Sequence, residues 1–120
     1  MQIKELMRRH VRALSPATSV QEAVYTMDSL GVRVLPICTP FELVGMLSDR
    51  DIAIRATLLE RSPKEVKVGE IMDTDMVCCL EDADSELIAR EMEERRLSQL
   101  PVVDHEKKLV GMVSLQDLVL

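Results

Sequence analysis

Two serine–aspartate pairs are the residues of this chain whose types and spacing best suit chemistry. Ser48 and Asp51 stand three positions apart, and so do Ser114 and Asp117. A hydroxyl and a carboxylate at this spacing can cap a helix by binding its first backbone N–H groups. The same helix start can bind a phosphate group, and the carboxylate can accept the two hydroxyl hydrogens of a ribose. The pairs therefore indicate either helix caps or nucleotide contacts.

The residues around the two pairs are duplicated. Gly45–Asp51 and Gly111–Asp117 share the pattern Gly-x-x-Ser-x-x-Asp, and Leu35–Ile37 reappears as Leu100–Val102. A glycine before each pair also suits close approach of a ligand to the backbone. Capping alone does not require the whole pattern to recur, which favours the ligand interpretation, although common descent of the two copies also explains the recurrence.

The repeat divides the chain into two copies of about sixty residues. We expect a first repeat at residues 1–60, a linker at 61–66 and a second repeat at 67–120, with the final helix truncated at Leu120. Each copy alone is small enough to be marginally stable, so the two are expected to pack together as one module.

Each copy shows the same order of secondary-structure signals. Ser19 and Glu22 form the pattern of a capping box, apolar residues follow at helical spacing, and Gly31 ends the helix. Two apolar runs rich in β-branched residues then predict a pair of strands, and the Ser–Asp pair begins another helix. The predicted fold is mixed α/β, with strand or loop, helix, strand, strand and helix in each copy. The predicted strands cover residues 32–37, 43–47, 97–103 and 109–113.

Composition excludes several classes of protein. The net charge of −6 and only two aromatic residues argue against nucleic-acid binding. No apolar run reaches the roughly 18 residues that a membrane-spanning helix needs, and no signal-peptide pattern is visible. We therefore expect a cytoplasmic protein without a membrane or nucleic-acid partner.

The cysteines and histidines give no catalytic or metal-binding pattern. Cys38, Cys78 and Cys79 lack disulfide or zinc spacing and are expected to be buried apolar residues on strands. Neither His10 nor His105 stands where a serine or cysteine nucleophile would need it. The sequence predicts no enzyme, no metal site and no required cofactor.

Taken together, these motifs resemble a tandem pair of cystathionine-β-synthase-type (CBS) domains, often called a Bateman module. The resemblance covers the whole chain and rests on Glu70–Met72, Val77 and Leu80, on the two Leu-Pro steps and on both Gly-x-x-Ser-x-x-Asp stretches. It implies two β-α-β-β-α repeats related by a pseudo-twofold axis, with two clefts between them. Such clefts typically hold adenine nucleotides such as AMP or ATP, or S-adenosylmethionine.

The resemblance also assigns roles to individual residues. It implies that Asp51 and Asp117 bind ribose and that Ser48 and Ser114 lie near ribose and phosphate. The expected adenine-lining residues are Met7, Arg12, Val32, Val34, Met72, Val77, Leu97 and Gln99. The expected phosphate contacts are Arg50 and, in addition, Arg8, Arg9 and Arg33. In the family's interlocking arrangement, Asp117 serves the cleft lined by residues 7–12 of the first copy.

The two copies differ where charge matters. Arg50 in the first copy corresponds to Gln116 in the second, and Asp49 corresponds to Leu115. An arginine can bind phosphate oxygens through two hydrogen bonds, whereas glutamine neutralises no charge. We therefore expect both clefts to bind a nucleotide, with unequal affinity.

The resemblance implies a regulatory, ligand-sensing module that binds AMP, ADP, ATP or S-adenosylmethionine and forms a homodimer through its helices. The alternative is a structural assembly module whose clefts are empty or vestigial. Conservation of both Ser–Asp pairs between the two copies favours ligand sensing.

Overall fold

The computed structural model describes residues 1–119, so the predicted truncation at Leu120 lies outside the described residues. The chain divides into two compact units. One consists of Arg12–Met76 and is called the Asp51 unit below; the other consists of Met1–Val11 and Val77–Leu120 and is called the Asp117 unit. Among residues 1–119, no helix is long and apolar enough to cross a membrane.

The Asp51 unit contains three helices, a π-helical turn and two strands. Its elements are α1 (Val20–Leu30), β1 (Val34–Cys38), β2 (Leu43–Ser48), α2 (Asp49–Asp51), a π-helix (Ile52–Ala56) and α3 (Val68–Ile71). The predicted helix after Ser48 is therefore present, but it widens into a π-helix from Ile52 onward. The core of this unit is built from α1, both strands and residues around α3.

The Asp117 unit has the predicted order of elements for a complete repeat. Its elements are a 3-10 helix (Ile3–Glu5), β3 (Cys79–Leu80), α4 (Ser85–Arg95), β4 (Gln99–Val103), β5 (Leu109–Ser114) and α5 (Leu115–Leu118). Its core includes Ile3 and Met7, which precede the second copy in the chain by about sixty residues.

The helix ends follow local sequence signals in α1 but not in α4. The Ser19 hydroxyl accepts a hydrogen bond from Glu22 N at 3.1 Å, and Gly31 ends α1 with a left-handed φ of 66°. Both features were predicted, although only the Ser19 side of the capping box forms. In α4 the equivalent C-terminal position is held by Arg96, with a φ of 58°. A residue with a Cβ atom is strained in that region.

Each of the two sheets contains an antiparallel hairpin, and among residues 1–119 only the sheet of the Asp117 unit has a third strand. β1 pairs antiparallel with β2, and β4 pairs antiparallel with β5, each with a register shift near the turn. In the Asp117 unit, β3 runs parallel to β4, and Glu81 N donates to Val103 O at 3.0 Å. In the Asp51 unit the corresponding segment makes a single bridge, between Leu14 and Ile37. Pro16 occupies the position in the Asp51 unit that Glu81 occupies in the Asp117 unit. Because proline has no N–H group, it cannot donate the equivalent hydrogen bond, and the parallel pairing does not continue.

Each copy begins with a leading segment, residues 1–11 in the first copy and 67–76 in the second, and this segment belongs to the unit formed by the other copy. Ile3 N donates to Ala83 O at 3.0 Å, and Val68 N donates to Thr18 O at 2.8 Å. The second donor lies 65 positions after the first, and the second acceptor lies 65 positions before the first. The compact units therefore do not follow the order of the repeats along the chain, and the two units are built by the same reciprocal backbone contacts.

The expectation that all three cysteines are buried strand residues is wrong for Cys78. Cys79 is buried in β3, Cys38 is half-buried at the end of β1, and Cys78 is exposed and precedes the strand. β3 begins at Cys79, so Cys78 lies outside the strand.

Candidate functional site

Both Ser–Asp pairs lie at a junction between a strand and a helix. Ser48 is the last residue of β2 and Ser114 the last of β5, and each is the N-cap of the following helix. These positions arise because the apolar run of each strand ends at the serine, whose hydroxyl accepts a backbone N–H at the start of the helix.

Each pair forms a reciprocal capping box. Asp51 N donates to Ser48 Oγ at 3.0 Å and Ser48 N donates to Asp51 Oδ2 at 3.1 Å. In the second copy, Asp117 N donates to Ser114 Oγ and Ser114 N to Asp117 Oδ2, both at 3.3 Å. The capping interpretation of the sequence is therefore correct as a statement about local structure, and it accounts for one oxygen of each carboxylate.

The second oxygen of each carboxylate lies outside the cap. The capping bond uses Oδ2 in both aspartates. The side chains of Asp51 and Asp117 are 20% and 28% exposed, so both remain open to solvent. A carboxylate held by one oxygen and open at the other can accept a hydroxyl hydrogen from a ligand without losing the helix cap.

An arginine faces each carboxylate. Arg8 Nε lies 3.9 Å from Asp117 Oδ2, and Arg55 Nε lies 3.9 Å from Asp51 Oδ1. Arg55 Nη1 also donates to the carbonyl oxygens of Ile71 and Met72, at 3.1 and 3.2 Å. Arg55 was not among the predicted site residues, although its position four residues after Asp51 on a helix is a usable signal.

The glycine of each pattern admits the protein's own leading segment. A Cβ atom on Gly111 would lie 2.6 Å from Arg8 O and 2.8 Å from Met7 Sδ, and one on Gly45 would lie 2.7 Å from Met72 Sδ. The suggestion that these glycines leave room for a ligand is therefore wrong: the space is filled by a methionine and by backbone.

The same backbone bridge holds the leading segment in both units. Arg8 N donates to Met112 O at 2.8 Å and Met112 N to Arg8 O at 3.0 Å. Asp73 and Met46 form the equivalent bridge, also at 2.8 and 3.0 Å. The bridge places Arg8 beside Asp117, so the predicted association of Asp117 with the first copy's leading segment is present in the structure.

Each unit has a surface cavity at the helix that follows its hairpin, although the lining of neither cavity includes Asp51 or Asp117. The cavity of the Asp117 unit has a volume of about 660 Å³ and is lined in part by Leu97, Gln99, Ser114 and Gln116. That of the Asp51 unit has a volume of about 460 Å³ and is lined in part by Val32, Arg33 and Asp49.

The predicted ligand-contacting residues divide between the two units. The Asp117 unit contains Met7, Arg8, Arg9, Val77, Leu97 and Gln99, whereas the Asp51 unit contains Arg12, Val32, Arg33, Val34, Arg50 and Met72. Met7 is only 9% exposed and packs in the core of its unit. Arg9 Nη2 donates to Lys4 O at 3.1 Å, so its guanidinium is already tied to the leading segment.

One of the two histidines, His105, forms a pair with an aspartate on the surface. His105 Nε2 lies 2.8 Å from Asp82 Oδ2, and this contact raises the pKa of His105 and lowers that of Asp82. Within residues 1–119, no three His, Cys, Asp or Glu side chains are grouped closely enough to hold a metal ion. Burial raises the pKa of the Cys79 thiol to about 11, which opposes its ionisation.

Solved structures of two CBS proteins have this arrangement of elements. The chain superposes on CBSX2 in complex with AMP with a TM-score of 0.84, at 25% identity over 98% of this chain and 93% of that one. It superposes on the CBS domain pair of MJ0100, in complex with 5-methylthioadenosine and S-adenosyl-L-methionine, with a TM-score of 0.79, at 25% identity over 98% and 91% of the two chains.

Sequence comparisons agree with the structural ones. The CBS domain-containing protein YhcV of Bacillus subtilis is 35% identical over 116 residues, which are 97% of this chain and 81% of YhcV. Several other relatives are much longer, and the chain spans only 21–23% of their length. A family model for the CBS domain matches residues 3–56 and again residues 68–120. The duplicated pattern is thus a tandem CBS repeat, and the chain belongs to the CBS-domain family.

Proposed function

We propose that this chain is a regulatory module that senses adenine nucleotides or a related adenosyl compound. Asp51 and Asp117 are the ribose-binding carboxylates in this proposal. It depends chiefly on one observation: in both units the capping bond uses only Oδ2, and the carboxylate remains partly open to solvent. An oxygen outside the cap can accept hydrogen bonds from ribose hydroxyls, as acidic residues do in other nucleotide-binding folds.

The comparisons support the class of ligand. Two CBS structures that this chain resembles over 98% of its length are complexes with AMP and with 5-methylthioadenosine and S-adenosyl-L-methionine. All three molecules share an adenosine group, so the shared recognition concerns adenine and ribose. AMP, ADP, ATP and S-adenosylmethionine are therefore the ligands to test.

Other side chains near the carboxylates supply the remaining contacts of the proposal. The hydroxyls of Ser48 and Ser114 lie at the helix starts, where a ligand oxygen can share them with the cap. Leu97 and Gln99 line one cavity and Val32 lines the other, so they are assigned to the adenine ring. Arg8 is exposed and is assigned to phosphate groups. Arg33 and Arg50 are also exposed and belong to the Asp51 unit.

Binding, rather than catalysis, is the proposed activity. A ligand that binds only the folded module stabilises it and shifts its conformational equilibrium, which a partner protein can read. His105 is committed to Asp82 on the surface, and Cys79 is buried with a raised pKa, so neither is arranged as a nucleophile or base. We therefore propose that the chain acts without a catalytic step or a required cofactor.

Isothermal titration with AMP, ATP and S-adenosylmethionine tests the site assignment. Asp51→Asn and Asp117→Asn keep an oxygen that can accept the capping bond but remove the charge, and each is expected to abolish binding at one site. Ser19→Ala is the matched control, because it removes a helix cap of the Asp51 unit away from the proposed site, where Ser19 Oγ accepts from Glu22 N. The control should lose about 1 kcal/mol of stability and keep its ligand affinity. Undiminished binding in both aspartate variants would refute the assignment.

We also propose that the module forms a homodimer through its helices. Tyr25 on α1 is 67% exposed and Leu87 on α4 is 60% exposed, which are large apolar surfaces for helix positions. Tyr25→Asp and Leu87→Asp are expected to shift the mass measured by light scattering to that of a monomer. Phe41→Asp, at a turn residue that is 75% exposed, is the control and should leave the mass unchanged. A wild-type protein that is monomeric at all concentrations would exclude the dimer.

A further inference from the structure

The two leading segments occupy equivalent places and carry opposite charges. Arg8 and Asp73 form the same backbone bridge, to Met112 and Met46, five residues before Asp117 and Asp51 respectively. The scaffold is thus the same in both units, while a guanidinium in one is replaced by a carboxylate in the other. The difference extends along the segment.

In the Asp117 unit the leading segment is basic. Arg9 follows Arg8, and both side chains are exposed. The side chain of Arg8 is 77% exposed and its Nε lies 3.9 Å from Asp117 Oδ2. A ribose bound by Asp117 would therefore have the exposed guanidinium of Arg8 close to it. A phosphate group at that position would gain a charge-assisted hydrogen bond.

In the Asp51 unit the leading segment is acidic. Asp73 and Asp75 replace Arg8 and His10, and Asp75 N donates to Asp73 Oδ1 at 3.0 Å, which fixes the turn. Arg55 adds a positive charge near Asp51, but its guanidinium already donates to two carbonyl oxygens at the end of α3. The segment thus carries two negative charges against the one positive charge of Arg55, which disfavours an anionic substituent here.

Charges elsewhere near the two sites do not reverse this difference. Asp28, Asp49 and Arg33 line the cavity of the Asp51 unit, whereas Glu93 and Arg96 line that of the Asp117 unit. The first cavity therefore has one negative charge in excess, and the second is balanced.

Charges in the first turns of α2 and α5 do not remove the difference between the two leading segments either. Arg50, next to Asp49 at the start of α2, offsets the one excess negative charge of that cavity, and the counterparts Leu115 and Gln116 are uncharged. The predicted role of Arg50 as a phosphate ligand is thus opposed by its own neighbour. The leading segments remain the main electrostatic difference between the sites.

From this charge inversion we infer that the two sites take different classes of adenosyl ligand. The site at Asp117 takes a nucleotide with an anionic 5′-phosphate, and the site at Asp51 takes an adenosyl compound whose 5′ substituent is uncharged or cationic. The inference rests on the proposed function, because it assumes that both aspartates bind ribose. It makes Arg8 and Asp73 the residues that select the charge of the 5′ substituent. The recognition of adenine and ribose does not involve these two residues.

Titrations with AMP, adenosine and S-adenosylmethionine test this inference at fixed ionic strength. The Asp117 site is measured in Asp51→Asn protein, and the Asp51 site in Asp117→Asn protein. The Asp117 site should prefer AMP to adenosine by about tenfold, the value of one charge-assisted hydrogen bond. The Asp51 site should prefer adenosine or S-adenosylmethionine to AMP.

Charge-reversal variants then test the residues responsible. Arg8→Asp should remove the preference for AMP at the Asp117 site, and Asp73→Arg should create one at the Asp51 site. Asp73→Asn removes the charge but keeps an oxygen that can accept from Asp75 N, so the turn should be unchanged. This variant should weaken the discrimination against AMP at the Asp51 site. Arg90→Asp and Glu86→Arg make the same charge changes at exposed positions of α4 and should change neither preference.

The outcomes separate this inference from the proposal on which it rests. Binding at both sites with the same ratio of AMP to adenosine affinity, unaffected by the reversals, would overturn the charge-based specificity and leave the proposed function intact. Failure of all three ligands to bind wild-type protein would overturn both. An AMP preference at the Asp51 site would also contradict the inference.

Discussion

Cys78 and Cys79 are neighbours in the chain with very different surroundings. Cys78 is exposed, whereas Cys79 is buried in β3, where desolvation raises its pKa to about 11. Because the thiolate is the reactive form, we expect N-ethylmaleimide to modify Cys78 in the folded protein and to spare Cys79. Peptide mass spectrometry after a short reaction at pH 8 measures this, with protein unfolded in guanidinium as the control. Equal modification of the two residues without denaturant would contradict the burial of Cys79.

His105 and Asp82 form a surface pair whose effect depends on pH. The hydrogen bond to Asp82 raises the pKa of His105, and the same contact lowers the pKa of Asp82. The histidine's contribution to stability is therefore present below its unfolded pKa and is lost as the pH rises through its raised folded pKa. The aspartate's contribution is present above its unfolded pKa and is lost as the pH falls through its lowered folded value.

An NMR titration of the His105 ring tests this pair. Asp82→Asn should bring the pKa of His105 back toward its ordinary value. Glu106→Gln, a neighbouring change that does not touch the ring contact, should have little effect. A His105 pKa that does not respond to Asp82→Asn would show that the pair is absent in solution.

The approach of the leading segments to the strands should make the two motif glycines unequal. A Cβ atom on Gly111 meets the backbone oxygen of Arg8 at 2.6 Å, whereas the nearest atom to one on Gly45 is the flexible Met72 Sδ at 2.7 Å. We expect Gly111→Ala to cost about 1–3 kcal/mol of unfolding free energy and Gly45→Ala to cost less. Chemical denaturation of both variants measures this. Equal costs, or none, would show that the leading segments are not in close contact.

The ends of α1 and α4 provide a matched pair of substitutions. Gly31 and Arg96 both adopt a left-handed conformation after the helix, with φ values of 66° and 58°. Gly31→Ala is expected to destabilise the protein by about 1 kcal/mol, and Arg96→Gly to stabilise it or leave it unchanged because the strain is relieved. Thermal unfolding of the two variants checks the opposite signs. A marked loss of stability in Arg96→Gly would indicate that the arginine side chain makes a compensating contact.

These elements also show what the sequence allows one to predict. The hairpins and the cap at Ser19 follow from local patterns, and the structure has them. The left-handed Arg96 has no such signal, because arginine does not favour that conformation. The lost third strand of the Asp51 unit depends on Pro16 lying opposite a carbonyl, which is visible only once the parallel pairing is known.

The candidate site was predictable to the extent that its geometry is local. The spacing of Ser48 and Asp51 directly implies their capping box. The proximity of Arg8 and Asp117 joins residues more than a hundred positions apart, and only the resemblance to CBS pairs suggested it. The packing role of Gly111 could not be foreseen, because the sequence does not reveal whether a glycine admits a ligand or another part of the chain.

At the scale of the whole molecule, the exchanged leading segments link the two repeats along the chain. Residues 1–11 complete the Asp117 unit and residues around α3 complete the Asp51 unit, so each repeat depends on the other for its core. A ligand that contacts a leading segment and the helix cap of the same unit therefore stabilises parts of both repeats. This coupling is the physical basis on which we expect ligand binding to change the stability of the whole module.

Thermal unfolding with and without AMP tests the central claim most directly. For wild-type protein, ligand at about one hundred times its dissociation constant should add about 2.7 kcal/mol of stability and raise the unfolding midpoint by several degrees. The doubly substituted Asp51→Asn, Asp117→Asn protein should show no ligand-dependent shift, while Ser19→Ala protein should shift like the wild type. A midpoint that does not move in wild-type protein with millimolar AMP, ATP or S-adenosylmethionine would contradict the proposed adenosyl-binding function.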